Sequence, residues 1–322
     1  MQPQSGNGLE PRVLFVDDEP NVLSGLQRML RPLRQECQVF FATGGAEALD
    51  RLAADPFDII VTDMRMPGID GAALLDEASR RHSRTTRIVL SGQADPQAIL
   101  RVVGPAHQYL SKPCDAEKLK STLRRLFALR DLLNNEAAES SIMRLRALPI
   151  LRATLDDLRA ELTCDSPSLV RISRIVERDL AATAKLLQIV NSAFFGSHGS
   201  VYDAEKAVHR LGVDLLRALV LSSDLLVEMD ENVAACLDER GVWLRSATAR
   251  KMTSSGIGRI VLACCFPDEY CAIAGDAGDD LASLAERERE ALGCTHTQAG
   301  TYLLTLWGLP DEMTRGLESK DQ

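Results

Sequence analysis

Asp17, Asp18 and Asp63 are carboxylates, Lys112 is an ammonium and Ser91 a hydroxyl, and each stands at or just beyond the end of a short apolar run. Gathered in one place, the three acids would repel one another and raise one another's pKa unless a cation sat among them. Hard oxygen donors of this kind suit Mg²⁺. Such an ion attracts phosphoryl oxygens, Lys112 adds a second positive point charge and Ser91 a donor hydroxyl, and together they would stabilise a phosphoryl group on an aspartate oxygen. The chemistry expected is phosphorylation of Asp63. The stretch "IIVTDMRMPGIDG" (59–71) makes the same demand from the other side. A lone acid after a β-branched run is costly unless it is paired or sits at an exposed strand tip.

The elements that must position these groups alternate in type. The runs "VLFV" (13–16), "VFFA" (39–42), "IIVT" (59–62), "RIVL" (87–90) and "QYL" (108–110) are separated by helical patterns such as "NVLSGLQRMLRPL". Connections of that length favour right-handed crossovers, so the first part is predicted to be an α/β doubly wound, five-stranded parallel sheet. Sites in such sheets form beyond the carboxyl ends of the strands, which is where the acids, Ser91 and Lys112 fall. Each residue taken singly has a plain structural reading: Asp18 caps the helix near Asn21, Pro67-Gly68 makes a turn, Ser91 lies in a loop. Their joint placement at matching strand ends favours the chemical one. His107 is expected to pack or face water.

In their order and spacing "FVDDEP", "VTDMRMPGIDG", "VLSGQAD" and "YLSKP" resemble the receiver domain of bacterial two-component response regulators, a flavodoxin-like fold, across roughly 11–130. The resemblance implies that Asp17, Asp18, Asp63 and the backbone carbonyl of Arg65 hold Mg²⁺. It further implies that Asp63 takes its phosphoryl group from a histidine kinase and that Lys112 pairs with it. Ser91 and Tyr109 fall at the family's switch positions, where the hydroxyl moves toward the phosphoryl group and the ring turns inward. Ser replaces the commoner Thr, which keeps the hydroxyl and removes a methyl.

Near Asn134 the character changes. "AEKLKSTLRRLFALRDLLNN" carries Leu119, Leu123, Leu126 and Leu133 at helical spacing, open to either a packing helix or a short coiled coil between protomers. "NNEAAESS" reads as polar linker within a helical and polar connecting segment, 131–145. Beyond it the pattern is all helical: Leu148, Leu151, Leu155, Leu158 and Leu162 form a stripe, and Ser166-Pro167 suggests a helix start. Asp179, Asp203 and Asp214 suggest N-caps and Gly212 a helix end, so a compact bundle over 146–316 is expected.

"LRALPILRATLDDL", "IVERDLAATAKLLQIVNSAFFG", "YDAEKAVHRLGVDLLRALVL" and "THTQAGTYLLTLWGLP" look like the HDOD domain, a helical output module related to the metal-dependent HD phosphohydrolases. The most specific signatures are "VNSAFFG" around Asn191-Ser192 and "WGLP" at Trp307. Where catalytic relatives carry a metal-binding His-Asp doublet, the nearest match here is Ser255-Gly256, followed by Ile257-Gly258. A hydroxyl and a hydrogen replace imidazole and carboxylate, so hydrolysis and a metal in this half are not expected. His209 and His296 are read as structural.

Composition narrows the classes further. A chain of 322 residues with 45% hydrophobic content suits two domains. A formal charge of -9 argues against a general phosphate-backbone binder. No window approaches the roughly 18 apolar residues of a membrane span, and "MQPQSGNGLEPR" lacks a signal peptide's regions, so a cytoplasmic protein without membrane partner is expected. The 8 cysteines lack paired zinc spacing; Cys264, Cys265, Cys271 and Cys294 are read as packing. The expectation is a response regulator whose non-catalytic output binds a downstream signalling protein, with a homodimer left open. Its rivals are a cyclic-dinucleotide phosphodiesterase, which Ser255-Gly256 disfavours, and a DNA-binding regulator. The basic stretches "LRRLFALR" and "LRSATARK" offer the latter no helix-turn-helix.

Overall fold

A computed structural model describes residues 10–92, 96–133, 135–195, 199–221, 226–239, 253–277 and 280–314. The stretch "LRSATARK", Asn134, the 93–95 part of "VLSGQAD" and residues 222–225, just after "YDAEKAVHRLGVDLLRALVL", lie outside them. The chain divides into two compact units: residues to Leu132 together with Ser192–Gly196, and Leu133–Asn191 together with the chain from Ser197.

The first unit holds strands β1 (Arg12–Val16), β2 (Gln38–Ala42), β3 (Ile59–Asp63), β4 (Thr86–Ser91) and β5 (Gln108–Ser111), with helices α1 (Pro20–Met29), α2 (Gly45–Ala54), α3 (Gly71–Arg81), α4 (Pro96–Val102) and α5 (Ala116–Leu129). All strands pair in parallel, in the order β2-β1-β3-β4-β5. This is the doubly wound sheet predicted, with the strands within a residue or two of the apolar runs that announced them. Period-two alternation gives each face its own set of side chains. Leu14, Val16, Ile60, Val89 and Tyr109 join Leu52 of α2, Leu74 and Leu75 of α3 and Val102 of α4 in one buried cluster. Right-handed crossovers leave the opposite face, with Val13, Phe15, Val61, Ile88 and Leu110, to α1 and α5.

Leu119, Leu123 and Leu126 of α5 are all buried and the helix stops at Leu129 with Arg130 as its C-cap, so the stripe belongs to a packing helix. The coiled-coil alternative has no helix to continue on.

In the second unit, the segment read as polar linker contains a helix, α6 (Glu136–Met143). Asn135 caps it, its Oδ1 accepting from the Ala137 and Ala138 amides, while Ala138, Ile142 and Met143 are buried. Small size hid this: with one alanine, an isoleucine and a methionine for an apolar face, the run reads as polar by composition. There follow α7 (Arg152–Thr163), α8 (Leu169–Glu177), α9 (Leu180–Val190), α10 (Ala204–Leu221), α11 (Glu231–Glu239), α12 (Ser254–Cys265), α13 (Pro267–Ala277), α14 (Leu281–Leu292), α15 (His296–Leu306) and α16 (Asp311–Thr314). Asp179 caps α9 as expected and also accepts from the Leu151 amide at 2.8 Å. The expected start at Ser166-Pro167 is displaced: Ser168 is the cap of α8. Gly212, at φ 73° and ψ 166°, breaks α10 into two helical halves where a helix end was read.

The helices α12 and α15 cross at backbone contact. A Cβ on Gly258 would lie 1.6 Å from the His296 carbonyl oxygen, and one on Gly300 would lie 1.8 Å from that of Ser254. Neither position has room for a methyl without moving a helix. Gly258→Ala is therefore expected to destabilise the helical unit by about 3 kcal/mol, the upper range for overpacking. The urea midpoint of the full chain, followed by far-ultraviolet circular dichroism, measures it.

Candidate functional site

Alternation along β1, β3 and β5 puts Asp17, Asp63 and Lys112 in phase with Phe15, Val61 and Leu110, on one side of the sheet at its carboxyl edge. There the Lys112 Nζ lies 2.7 Å from Asp17 Oδ2 and 2.5 Å from Asp63 Oδ1. Asp17 and Asp63 are both buried, and Lys112 keeps part of its side chain in solvent. Burial works against the ammonium, but the hydrogen bonds and charges of Asp17 and Asp63 outweigh it and raise the Lys112 pKa. The remaining oxygens are held by backbone: Asp17 Oδ1 accepts from the Glu19 amide at 3.0 Å, and Asp63 Oδ2 from the Arg65 amide at 2.9 Å.

Asp18 is half-buried outside this bridge and does not cap α1, whose N-cap is Glu19 with Pro20 as the first helical residue. Among the described residues no three His, Cys, Asp or Glu side chains form a closed metal cluster. What the structure joins is Asp17 and Asp63, each within hydrogen-bond reach of one cation, the lysine ammonium. Two hard carboxylates that enclose one positive charge are a donor set fit for Mg²⁺.

Small residues let the loop after β3 fold under Asp63. Gly71 opens α3, and a Cβ there would lie 2.1 Å from the Asp63 carbonyl oxygen. Its amide donates to the Met64 carbonyl at 3.2 Å. Gly68 has φ 75°, a backbone angle that suits glycine. Asp70 caps α3 through the Ala73 amide and meets Arg101 Nη2 at 2.5 Å, tying α3 to α4.

Ser91 ends β4 in phase with Val89, on the opposite face from Asp63, and its carbonyl accepts from the Lys112 amide at 2.8 Å. Tyr109 pairs in register with Val89 and points inward. Its hydroxyl donates to the Val102 carbonyl at 2.9 Å, and burial raises the phenol pKa against the opposing charge of Arg87. His107 packs, as expected. Its Nε2 lies 2.6 Å from Nη2 of the fully buried Arg87, which also donates to the Pro105 and Thr85 carbonyls.

In the helical unit, Ser255 and Gly256 occupy the first turn of α12, where the Gly256 amide donates to Thr253 Oγ1 at 3.1 Å. His209 is exposed, its Nδ1 2.8 Å from the Glu205 carbonyl oxygen. His296 is buried and has a carboxylate partner that sequence reading missed. Glu288 Oε2 lies 2.6 Å from its Nδ1 and accepts from its amide at 2.7 Å. The available signal was position: Glu288 stands between Leu284 and Leu292 on the buried stripe of α14. Lys185 was missed for the same reason, a charge on a helix that is apolar nearly all round. It is fully buried, donates to the Arg146 carbonyl at 2.7 Å and lies 5.0 Å from the Trp307 ring centroid. All 8 cysteines are free, and burial pushes the Cys264 and Cys265 thiols up to about 12.

Residues 13–124 match the family described as response regulator receiver domain, and residues 148–252 and 255–322 match the HDOD domain. DNA-binding transcriptional regulator NtrC of Escherichia coli K12 is 33% identical over 114 residues, covering 35% of this chain and 24% of that protein. Sensor histidine kinase GacS of Pseudomonas protegens is 28% identical over 249 residues, covering 71% of this chain and 26% of that one. The chain thus spans about a quarter of the length of these curated relatives. Among solved structures, the signal receiver domain of an HD domain-containing protein from Pseudomonas fluorescens Pf-5 is 32% identical and covers 38% of this chain and 98% of its own, with a TM-score of 0.36. No helix among the described residues is long and apolar enough to cross a membrane.

The buried lysine makes stability depend on pH. Burial lowers the Lys185 pKa to about 7, whereas an unfolded lysine titrates near about 10.4. Below pH 7 both states carry the proton. Above it only the unfolded chain does, so stability rises with pH, by at most about 1.4 kcal/mol per unit. Unfolded thiols titrate near about 8.5, and the buried ones then work in the opposite sense, but they are common to both proteins and cancel in a comparison. The urea midpoint of the wild type relative to Lys185→Met is therefore expected to rise between pH 7.0 and about 8.5.

Proposed function

The chain belongs to the HDOD family and carries, ahead of that domain, a response regulator receiver domain, and from this we propose that phosphorylation of Asp63 by a histidine kinase controls a non-catalytic helical output that binds partner proteins. The reading assigns residues 11–130 to phosphoryl acceptance, 131–145 to the connection and 146–316 to output, in a cytoplasmic two-component pathway.

One observation carries it: the Lys112 ammonium held between the Asp17 and Asp63 carboxylates at the carboxyl edge of the sheet. In the transfer, an Asp63 oxygen bonds to phosphorus while the bond from phosphorus to the donor's leaving group breaks, and the leaving group keeps the electron pair. Lys112 needs only to exchange one carboxylate contact for a phosphoryl oxygen, so its charge is pre-positioned where negative charge develops. Asp17, Asp18, Asp63 and the Arg65 carbonyl would hold Mg²⁺, which when bound neutralises charge on the transferring group. The Ser91 hydroxyl, which alternation places on the face opposite Asp63, would turn over the strand end to donate to the same oxygens, and Tyr109, two positions back on the neighbouring register, would read that movement.

The non-catalytic part of the reading is supported by residue types. Ser255 and Gly256 present a hydroxyl and no side chain on α12, and the histidines His209 and His296 are bound to a backbone carbonyl and to Glu288. Output then consists of a shift in population between two arrangements of the surface.

Incubation of the full chain with acetyl phosphate and Mg²⁺, read as a phosphate-affinity gel shift, is expected to give an acid-stable, base-labile phosphoprotein. Asp63→Ala should abolish the shift. Undiminished uptake in that variant would refute Asp63 as acceptor.

A further inference from the structure

The "VNSAFFG" signature has no role in phosphoryl transfer, yet its residues are placed with unusual care. Asn191 Oδ1 accepts from the Val201 amide at 2.7 Å, and its Nδ2 donates to the Val201 carbonyl at 2.8 Å. One side chain thus pairs with both backbone groups of Val201, as a neighbouring strand would, and closes the neck of the loop between α9 and α10. Out of that neck, Ala193–Phe195 forms a short 3-10 helix. The stretch Ser192–Gly196 belongs to the sheet unit, where the 3-10 helix lies against β5.

Its anchor is Phe194. The ring sits on the buried cluster under α2, α3 and α4, and its centroid lies 4.9 Å from that of Tyr109, tilted by 45°. Ring pairs at this separation and tilt attract beyond the area they bury. Tyr109 is thereby held from two sides: its hydroxyl by the Val102 carbonyl, its ring by Phe194. With Tyr109 beside Val89 and Ser91 next but one along β4, the held ring is part of the packing that a moving Ser91 must meet.

We propose that Phe194 is a built-in ligand of the Tyr109 surface, and that its seating and phosphorylation at Asp63 favour one another. The proposal rests on the acceptor role of Asp63 and names what that phosphorylation governs. Linkage makes the effect reciprocal: if phosphorylation strengthens the seat of Phe194, then loss of Phe194 weakens the binding of a phosphoryl group or its mimic.

The test uses the full chain carrying 3-fluorotyrosine at its four tyrosines, with the Tyr109 fluorine resonance assigned by Tyr109→Phe. Beryllofluoride with Mg²⁺ is titrated as the phosphoryl mimic. In Phe194→Ala the Tyr109 resonance is expected to move in the absence of the mimic. The half-saturating concentration of the mimic is expected to rise about fivefold, the lower end of typical coupling. Phe194→Leu, which keeps apolar bulk and protects against a folding artefact, should fall between. Equal half-saturation in wild type, Phe194→Ala and Phe194→Leu overturns the linkage and leaves Phe194 a cover for the cluster. If the wild type also takes no phosphoryl group from acetyl phosphate, the acceptor reading falls, and the linkage with it. Uptake from acetyl phosphate together with unshifted titrations refutes the linkage alone.

Discussion

One ammonium facing two carboxylates organises the edge of this sheet. Lys112 reaches Asp17 and Asp63 from a strand end that alternation and register place on the same side as both acids. A buried carboxylate without a cation or donors would cost several kcal/mol, and here each acid has both. The geometry depends in turn on residues that contribute no charge. Gly71 brings the start of α3 within contact of the Asp63 backbone, and the Glu19 and Arg65 amides take the oxygens that Lys112 leaves. The strand ends are set by the register of apolar strands below them.

The helical unit solves a different problem. Its helices are packed closely enough that glycine is required at the crossing of α12 and α15, and charged or titratable groups lie inside it in close contacts. Lys185 rests on Trp307 and a carbonyl, Glu288 on His296, and Arg259 Nε donates to Tyr270 Oη at 3.1 Å. Their effect is to make the packing specific: a polar group that has one good partner inside an apolar bundle penalises every arrangement that separates the two.

How much of this was legible varies with the range of the interaction. The five apolar runs predicted five strands, since buried parallel strands have no polar face to confuse the pattern. Asp179 and Asp203 announced their helices because capping is settled within three residues. Ser166-Pro167 misled by two positions, as a nearby serine, Ser168, competes for the same cap. Within the segment expected to be part helix and part polar linker, the start of the helix at Glu136–Met143 did not show in "NNEAAESS", because its apolar face is small and is buried by distant helices.

The sequence by itself determined the identity and order of the groups at the sheet edge, since strand ends in a doubly wound sheet converge on one side whatever the side chains between them. Only the tertiary structure decided which of those groups meet. Asp17 and Asp63 share Lys112 while Asp18 stands apart, because contact depends on strand register and loop length to fractions of an ångström, which no local pattern encodes. The pairing of Glu288 with His296, of Lys185 with Trp307 and of Phe194 with Tyr109 belongs to the same class. Each joins residues whose separation in the chain says nothing of their distance in space, and each is fixed by packing that the whole unit supplies.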